Sequence, residues 1–461
     1  MRISLKPLGE NFIVGLFTGR LQHLLFWSVI LIALSSHLHA QTSTAEPAAE
    51  TKQPEFDAET QLQSFDEVWQ RIKDTHWDPD MVGDSWDQAR DELRPKIKES
   101  RSLNEVREIL GELVNRLEQS HFGIIPASAY GMLEEQGGAK DHDAGIRIRR
   151  STDGLVVTQV RPQSPAESFG VQPGWIVEKI DDRTGQEILE VAGKAAHGPM
   201  RQETIVGMIG KRLTSGPQGE TIHFEFRDHQ NQSRAIKLSL AATPGQPSKL
   251  GNLPAMRVHQ IAKTLDGNIG YYWFNAFLDP VRIMKQYNAT VRNPEHSKGL
   301  IIDLRDNVGG IAAMTMGMAS QFATAASPLG TMSMKGAKMN FTLSARPNPI
   351  TVPVAILVDE CSISSAEIFA GGMQDLGLAR VFGARTAGLA LPSVVSKLPN
   401  GDGFQYAIAD YHSASGRSLE ADGVIPDEEI PVHRDSLKTL GDPVLARAIE
   451  WIETQPSDTK K

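Results

Sequence analysis

Apolar positions along the chain repeat with two periods. Between residues 64 and 126 they fall three and four apart: Phe65, Val68, Trp69 and Ile72, then Val106, Ile109, Leu110, Leu113, Val114 and Leu117. That spacing predicts amphipathic helices. Ser64 with Glu67, and Ser102 with Glu105, form capping-box patterns at the two runs. Over 145–148 and 155–160 the period shortens to two, as in half-buried strands. Ser164 and Pro165 then open a short helix that Gly170 ends, and Pro173-Gly174 turns the chain into a strand over 175–180. A helix over 202–212 and strands over 221–227 and 235–240 complete this unit. From residue 255 the pattern changes to short unbroken apolar runs at 269–274, 299–304 and 353–357, which predict buried strands. They alternate with helical patterns at 280–292 and 366–376, and Asp442-Pro443 opens a last helix striped with Val444, Leu445, Ala448, Ile449 and Ile452. The expected class is therefore α/β. Residues 325–350, rich in Ser, Thr, Gly, Met and Pro, are expected to form a mobile flap.

The turn between the strand at 353–357 and the helix at 366–376 holds Cys361, Ser362, Ser364 and Ser365. A hydroxyl at a strand-to-helix turn is placed for nucleophilic attack, because the free N–H groups of a helix start favour a developing oxyanion. The local pattern fits a helix cap equally well. Cys361 stands at the strand end, where a thiol packs. The helix over 106–117 runs into Ser120-His121, a place that also suits a surface or C-cap histidine. The strand over 299–304 ends in RDNVGG, residues 305–310, whose glycines let backbone approach a carbonyl closely and aim an N–H at it.

These stretches resemble the carboxyl-terminal processing (tail-specific) proteases and the tricorn protease core. SISSAEIFAGGMQD resembles the nucleophile turn, LEQSHF the tricorn histidine segment, DLRDNVGG the glycine turn, and SLEADGVIPDEEI the glutamate segment. The unit at 140–242 resembles a PDZ domain. The resemblance implies an α/β fold with a ClpP/crotonase-like protease core, an N-terminal helical segment and an inserted PDZ domain. It implies a nucleophile at Ser364, a base at His121 and an orienting acid at Glu420, acting through Ser120. It also implies oxyanion donors at Gly309, with Gly310 as the alternative, and at Ser365. In the PDZ domain it implies a carboxylate-binding loop at Asp143, Ala144, Gly145 and Ile146. Where many of these proteases carry a lysine base, this chain has Leu389; Lys397 matches no family position and reads as surface. The expected activity is serine endopeptidase cleavage of protein or peptide substrates, some bound by their C-termini. The acid limb of its pH profile should then report a histidine-like group near ~6.5. The alternative is an inactive peptide- or ligand-binding member of the same fold. With no triad member inside 140–242, removal of that unit is expected to change substrate choice more than chemistry.

Composition narrows the partners. A net charge of −9 over 461 residues argues against nucleic acid. One cysteine excludes an internal disulfide, and no metal motif or cofactor signature is present. The sequence specifies no oligomeric state. The apolar run 24–34 behind Arg2, Lys6 and Arg20 reads as an export signal over 1–40, with an uncleaved membrane anchor as the alternative. The expected order is a signal at 1–40, a flexible linker at 41–58, a helical segment at 59–130, the PDZ unit at 140–242 and the α/β core at 255–455. The expected location is the periplasm.

Overall fold

The computed structural model describes residues 56–127, 142–196, 198–248 and 256–456. The export-signal run and nearly all of the 41–58 linker lie outside them. Helices α1 (Ala58–Thr75), α2 (Asp84–Glu99) and α3 (Leu103–Asn115) bury one apolar face each. Phe65, Val68 and Ile72 pack with Trp86, Leu93 and Ile97 and with Val106, Leu110 and Leu113. Ser102 caps α3 as its sequence pattern implies, accepting from the Glu105 N–H. Ser64 caps nothing. Asp57 caps α1, and Ser64 is buried inside the helix with its hydroxyl donating to Thr60 O at 2.8 Å. A serine bonding back to its own helix leaves the same local signature as a cap.

Beyond α3 the chain passes Ser120-His121 into β1 (Gly123–Ile125), then enters a second unit. Its antiparallel sheet runs β2 (Ile146–Ser151), β3 (Gly154–Val160), β4 (Ile176–Ile180), β5 (Thr221–Arg227), β6 (Ser233–Ser239) in spatial order. Helices α4 (Pro165–Ser168), α5 (Gly185–Ala195) and α6 (Gln202–Leu213) accompany it. Helix α6 lies directly on β2: a Cβ at Gly210 would stand 3.3 Å from Ile148 Cβ.

The third unit holds a six-stranded sheet. Its order is β7 (Gln260–Leu265), β8 (Ile269–Phe274), β9 (Gly299–Asp303), β12 (Val354–Val358), β13 (Arg380–Gly383) and β17 (Glu428–Glu429). Only β7 runs antiparallel to its neighbour. Alternation sends Leu300 and Ile302 to one face, with Ile283 and Tyr287 of α7 (Pro280–Val291), Met314 of α8 (Ala312–Ala319) and Phe369 of α9 (Ser365–Asp375). Ile301 points to the other face, against Ala448 and Ile452 of α11 (Pro443–Thr454), which follows α10 (Arg434–Leu440). Burial on both faces explains the unbroken apolar runs.

The expected flap is a hairpin instead. Strands β10 (Ser327–Met334) and β11 (Ala337–Leu343) pair with each other, and β10 also pairs with β16 (Ala409–Ser413). Leu329, Phe341 and Leu343 are buried in the core, so alternation was present beneath a loop-like composition. Strands β14 (Ser393–Lys397) and β15 (Gly403–Ala407) form a small sheet with β1. Their Val394, Phe404 and Tyr406 join the core of the N-terminal helices. This pairing brings Ser120 and His121 to the α/β unit. Among the described residues no helix is long and apolar enough to cross a membrane.

Candidate active site

Three loops leave the carboxyl ends of the adjacent parallel strands β9, β12 and β13, the edge where open α/β sheets bind ligands. The first is the glycine turn, the second the serine turn, and the third runs from Ala384 to Pro392. The first two are stitched together. Ser362 Oγ donates to Leu304 O at 2.8 Å, the Ile363 N–H to Asn307 O at 2.9 Å, and Ser365 Oγ to Gly310 O at 2.9 Å.

Ser364 stands at the start of α9 with φ 61° and ψ −115°. A non-glycine residue in that region stores strain of about 1–3 kcal/mol, which functional sites tolerate. Its side chain is fully buried, and among the described residues its Oγ makes no hydrogen bond. The hydroxyl therefore does not cap the helix. The Ser364 N–H is held by Glu367, whose carboxylate also accepts from Thr386 Oγ1, the Gly388 N–H and the Leu389 N–H at 2.6, 2.7 and 3.0 Å. Burial raises the Glu367 pKa, against the pull of these donors. Glu367 is thus the clamp between the serine turn and the third loop.

Gly309 has φ 81°, and a Cβ there would lie 2.8 Å from Ser364 Cβ and 3.0 Å from Ser365 N. Only glycine fits this contact. The Gly309 N–H already donates to Asn307 Oδ1 at 2.9 Å, which spends the donor that the sequence reading preferred. Gly309 O accepts from the Phe277 N–H at 2.7 Å. A trans peptide opposes its C=O and N–H, so the Gly310 N–H points away from Phe277. That N–H donates no hydrogen bond among the described residues. The Ser365 N–H, at the start of α9, lies against Gly309.

Ser120, His121 and Glu420 form a second cluster. Ser120 Oγ lies 2.6 Å from His121 Nδ1 and donates to Glu420 Oε2 at 2.9 Å; the Ser120 N–H donates to Glu420 Oε1 at 2.7 Å. With the Ser120 proton given to the carboxylate, Nδ1 must carry the proton it shares with Ser120, and Nε2 is left as the basic nitrogen. His121 also has positive φ, 63°. Burial lowers its pKa to about 3 and raises that of Glu420 to about 7, although three donors pull the carboxylate down. The two clusters meet at adjacent residues of the third loop: Leu389 N–H binds Glu367, and Ala390 N–H binds Glu420 at 3.1 Å.

The side chain of Leu389 is buried with Ile363 and Ala387 in the hydrophobic core of the β2–β6 unit. Lys397 is exposed on β14. Cys361 is buried 3.9 Å from Thr204 O, and burial holds its thiol well above the usual range. Cys361→Ser is therefore expected to keep most of any hydrolytic activity, checked by turnover before and after treatment with a thiol reagent.

The residues read as a carboxylate-binding loop are bonded chiefly within their own unit. The Ala144 N–H donates to Thr214 O at 2.9 Å, Asp143 pairs with Arg161 at 2.7 Å, and Ile146 is paired with Val160 in the sheet. Gly145, φ 78°, is pressed against Ser164. These bonds close the loop on its own unit. Among the described residues no group of three His, Cys, Asp or Glu side chains is placed to hold a metal.

Residues 268–430 match the model of peptidase family S41, and residues 57–115 match the tricorn protease C1 domain. A carboxyl-terminal-processing protease of Picosynechococcus is 23% identical over 372 residues, covering 79% of this chain and 82% of that protein. Tricorn protease homolog 1 of Streptomyces coelicolor is 26% identical over 435 residues, covering 90% of this chain and 37% of that longer protein. Two solved structures share the fold. The photosystem II D1 C-terminal processing protease has TM-score 0.55 and 17% identity, over 84% of this chain and 96% of that one. Mature CPAF has TM-score 0.57 and 13% identity, over 86% and 97%.

Proposed function

The chain belongs to peptidase family S41 and is a serine-type peptidase; from that premise we propose that it is an exported endopeptidase with a Ser364–His121–Glu420 triad. One observation carries the reading: the Glu420–Ser120–His121 hydrogen-bond series is held by the Ala390 N–H, next to Leu389, whose N–H binds the Glu367 carboxylate that clamps Ser364. His121 Nε2 takes the Ser364 proton as Oγ attacks the scissile carbonyl, then gives it to the leaving amine. Glu420, through Ser120, holds the imidazole in the required tautomer and stabilises the imidazolium. The N–H groups of Gly310 and Ser365 receive the oxyanion. Ser364 Oγ makes no hydrogen bond among the described residues, and catalytic hydrogen bonds of this kind commonly tighten only on substrate binding. The unit at 140–242 is a PDZ-type insert and the segment at 59–130 completes the protease core. Export rests on the apolar run behind the N-terminal arginines and lysine.

The test uses a fluorophosphonate probe, which labels only an activated serine. Ser364 should be labelled, and the inactive-member alternative predicts no labelling. Glu420 accepts hydrogen bonds from Ser120 Oγ, the Ser120 N–H and the Ala390 N–H, and only in its ionised form does it stabilise the imidazolium. With its pKa near 7, the labelling rate should fall as pH drops through about 7. His121, at about 3, stays neutral throughout that window and does not supply the limb. Glu420→Gln should label on the order of 10²-fold more slowly or worse, and without the limb. A limb retained in Glu420→Gln would assign the titration to another group.

A further inference from the structure

A cleft of about 410 Å³ opens at the far end of α8 from the glycine turn, lined by Asn288, Arg292, Gln321, Arg346, Pro347 and Asn348. The eight residues of α8 span about 12 Å, so the cleft is separate from the serine turn. Two of its residues are arginines and none is acidic. Among the described residues neither Arg292 nor Arg346 has a carboxylate within ion-pair distance, in a chain whose net charge is −9.

The walls are built. Gln321 is buried and its Nε2 donates to Gly317 O at 3.2 Å, which turns Oε1 toward Arg292 Nε at 2.8 Å. Arg292 also donates to Asn348 O at 3.3 Å. The Arg346 N–H is tied to Ala323 O at 3.0 Å and the Ile350 N–H to Gln321 O at 2.9 Å, which fix the loop that carries the second guanidinium. Two polar atoms of the lining residues are removed from solvent without any hydrogen bond: Arg346 Nε, a charged donor, and Asn288 Oδ1, an acceptor. Leaving such groups unsatisfied costs about 1–3 kcal/mol each, more for a charged one. An oxyanion would satisfy the first by the bidentate geometry that guanidinium favours. A donor group on the same ligand would satisfy the second.

We propose that this cleft is an oxyanion-binding site, with Arg346 and Arg292 holding a phosphate or carboxylate and Asn288 Oδ1 accepting a hydrogen bond from the ligand. Hydrogen phosphate offers that donor on oxygen, and an acidic peptide residue offers it on the amide beside the carboxylate.

The full chain is titrated with inorganic phosphate and with N-acetylaspartate at constant ionic strength, and binding is read by calorimetry and by the rise in Tm that a native-state ligand produces. At least one of the two should bind saturably, and Arg292→Gln and Arg346→Gln should each weaken it 10-fold or more. Phosphate alone, N-acetylaspartate alone, or both identifies the source of the oxyanion. No saturable binding of either at up to ~50 mM, far above the millimolar range of a weak specific site, overturns the proposal. So does binding that survives unchanged in both variants. No step reads peptidase activity, so the outcome is independent of the triad.

Discussion

Ser364→Ala is expected to abolish peptide hydrolysis while leaving the fold and its Tm essentially unchanged. The Oγ makes no hydrogen bond among the described residues, so its removal orphans no partner, and the strained backbone is equally strained with alanine. Loss of a triad nucleophile costs on the order of 10⁶ in kcat, and loss of the base costs about as much because the members act as a unit. His121→Ala should therefore match Ser364→Ala in turnover of an internally quenched peptide. Ser364→Gly should be equally inactive, and more stable if the relief of about 1–3 kcal/mol of strain exceeds glycine's ~0.5–1 kcal/mol entropic cost. Full activity in His121→Ala would remove the proposed mechanism and direct attention to a different base. Leu389 is a poor place to restore one: its side chain lies in the core of the inserted unit, where an ammonium would be stripped of water.

Much of this site is legible in the residues, and what escapes reading has physical reasons. The strands at β8, β9 and β12 announce themselves because burial on both faces leaves no polar position to interrupt the run. The serine turn, the glycine turn and Glu420 carry local motifs. Glu367 and Thr386 do not, because their role arises from contact across 19 residues, and a carboxylate at the third position of a helix looks like a cap. Asn307 occupying the Gly309 N–H follows from a two-residue side-chain turn that propensity does not report. The hairpin β10–β11 escapes because its small polar residues conceal a period of two.

Contacts between the 140–242 unit and the serine and third loops are also absent from any local pattern, and they add an expected effect on chemistry to the effect on substrate choice that the sequence suggests. Ile363, Ala387 and Leu389 are buried in that unit's core, and Arg201 donates to the carbonyls of Arg385 and Thr386. Removing residues 140–242 would expose apolar surface on both sides of Ser364, so chemistry should fail along with selectivity.

The sharpest single-residue form of that coupling is Arg149→Met. Arg149, on β2, is buried against three carboxylates: Asp306 of the glycine turn, Asp359 at 2.7 Å and Glu360 at 2.9 Å. Asp359 in turn accepts from the N–H groups of Asp306 and Cys361 at 3.0 and 3.1 Å. One guanidinium therefore fixes the glycine turn and the serine turn to the 140–242 unit together. Burial pushes the Asp306 carboxyl up, but Arg147 and Arg149 hold it well below the usual range. Burial holds Glu360 at about 7 despite Arg149. Removing the cation leaves uncompensated buried charge, which costs about 3–5 kcal/mol, a large part of the ~5–15 kcal/mol that holds a domain folded. In the wild type, the depressed Asp306 pKa contributes stability above its unfolded value near 3.8 that is lost as pH falls toward the folded value. In Arg149→Met, Asp306 keeps Arg147, but Glu360, already at about 7, loses the cation that opposes its burial, is pushed further up and takes up a proton on folding. The variant's Tm deficit should thus be largest near pH 7.5 and shrink toward pH 5. Displacing the two turns by even ~1 Å should lower kcat on the order of 10²-fold. Arg149→Lys should recover part of the stability but less of the rate, because a single ammonium cannot span three carboxylates as the guanidinium does. Wild-type kcat and Tm in Arg149→Met would show that the insert packs on the site without positioning it.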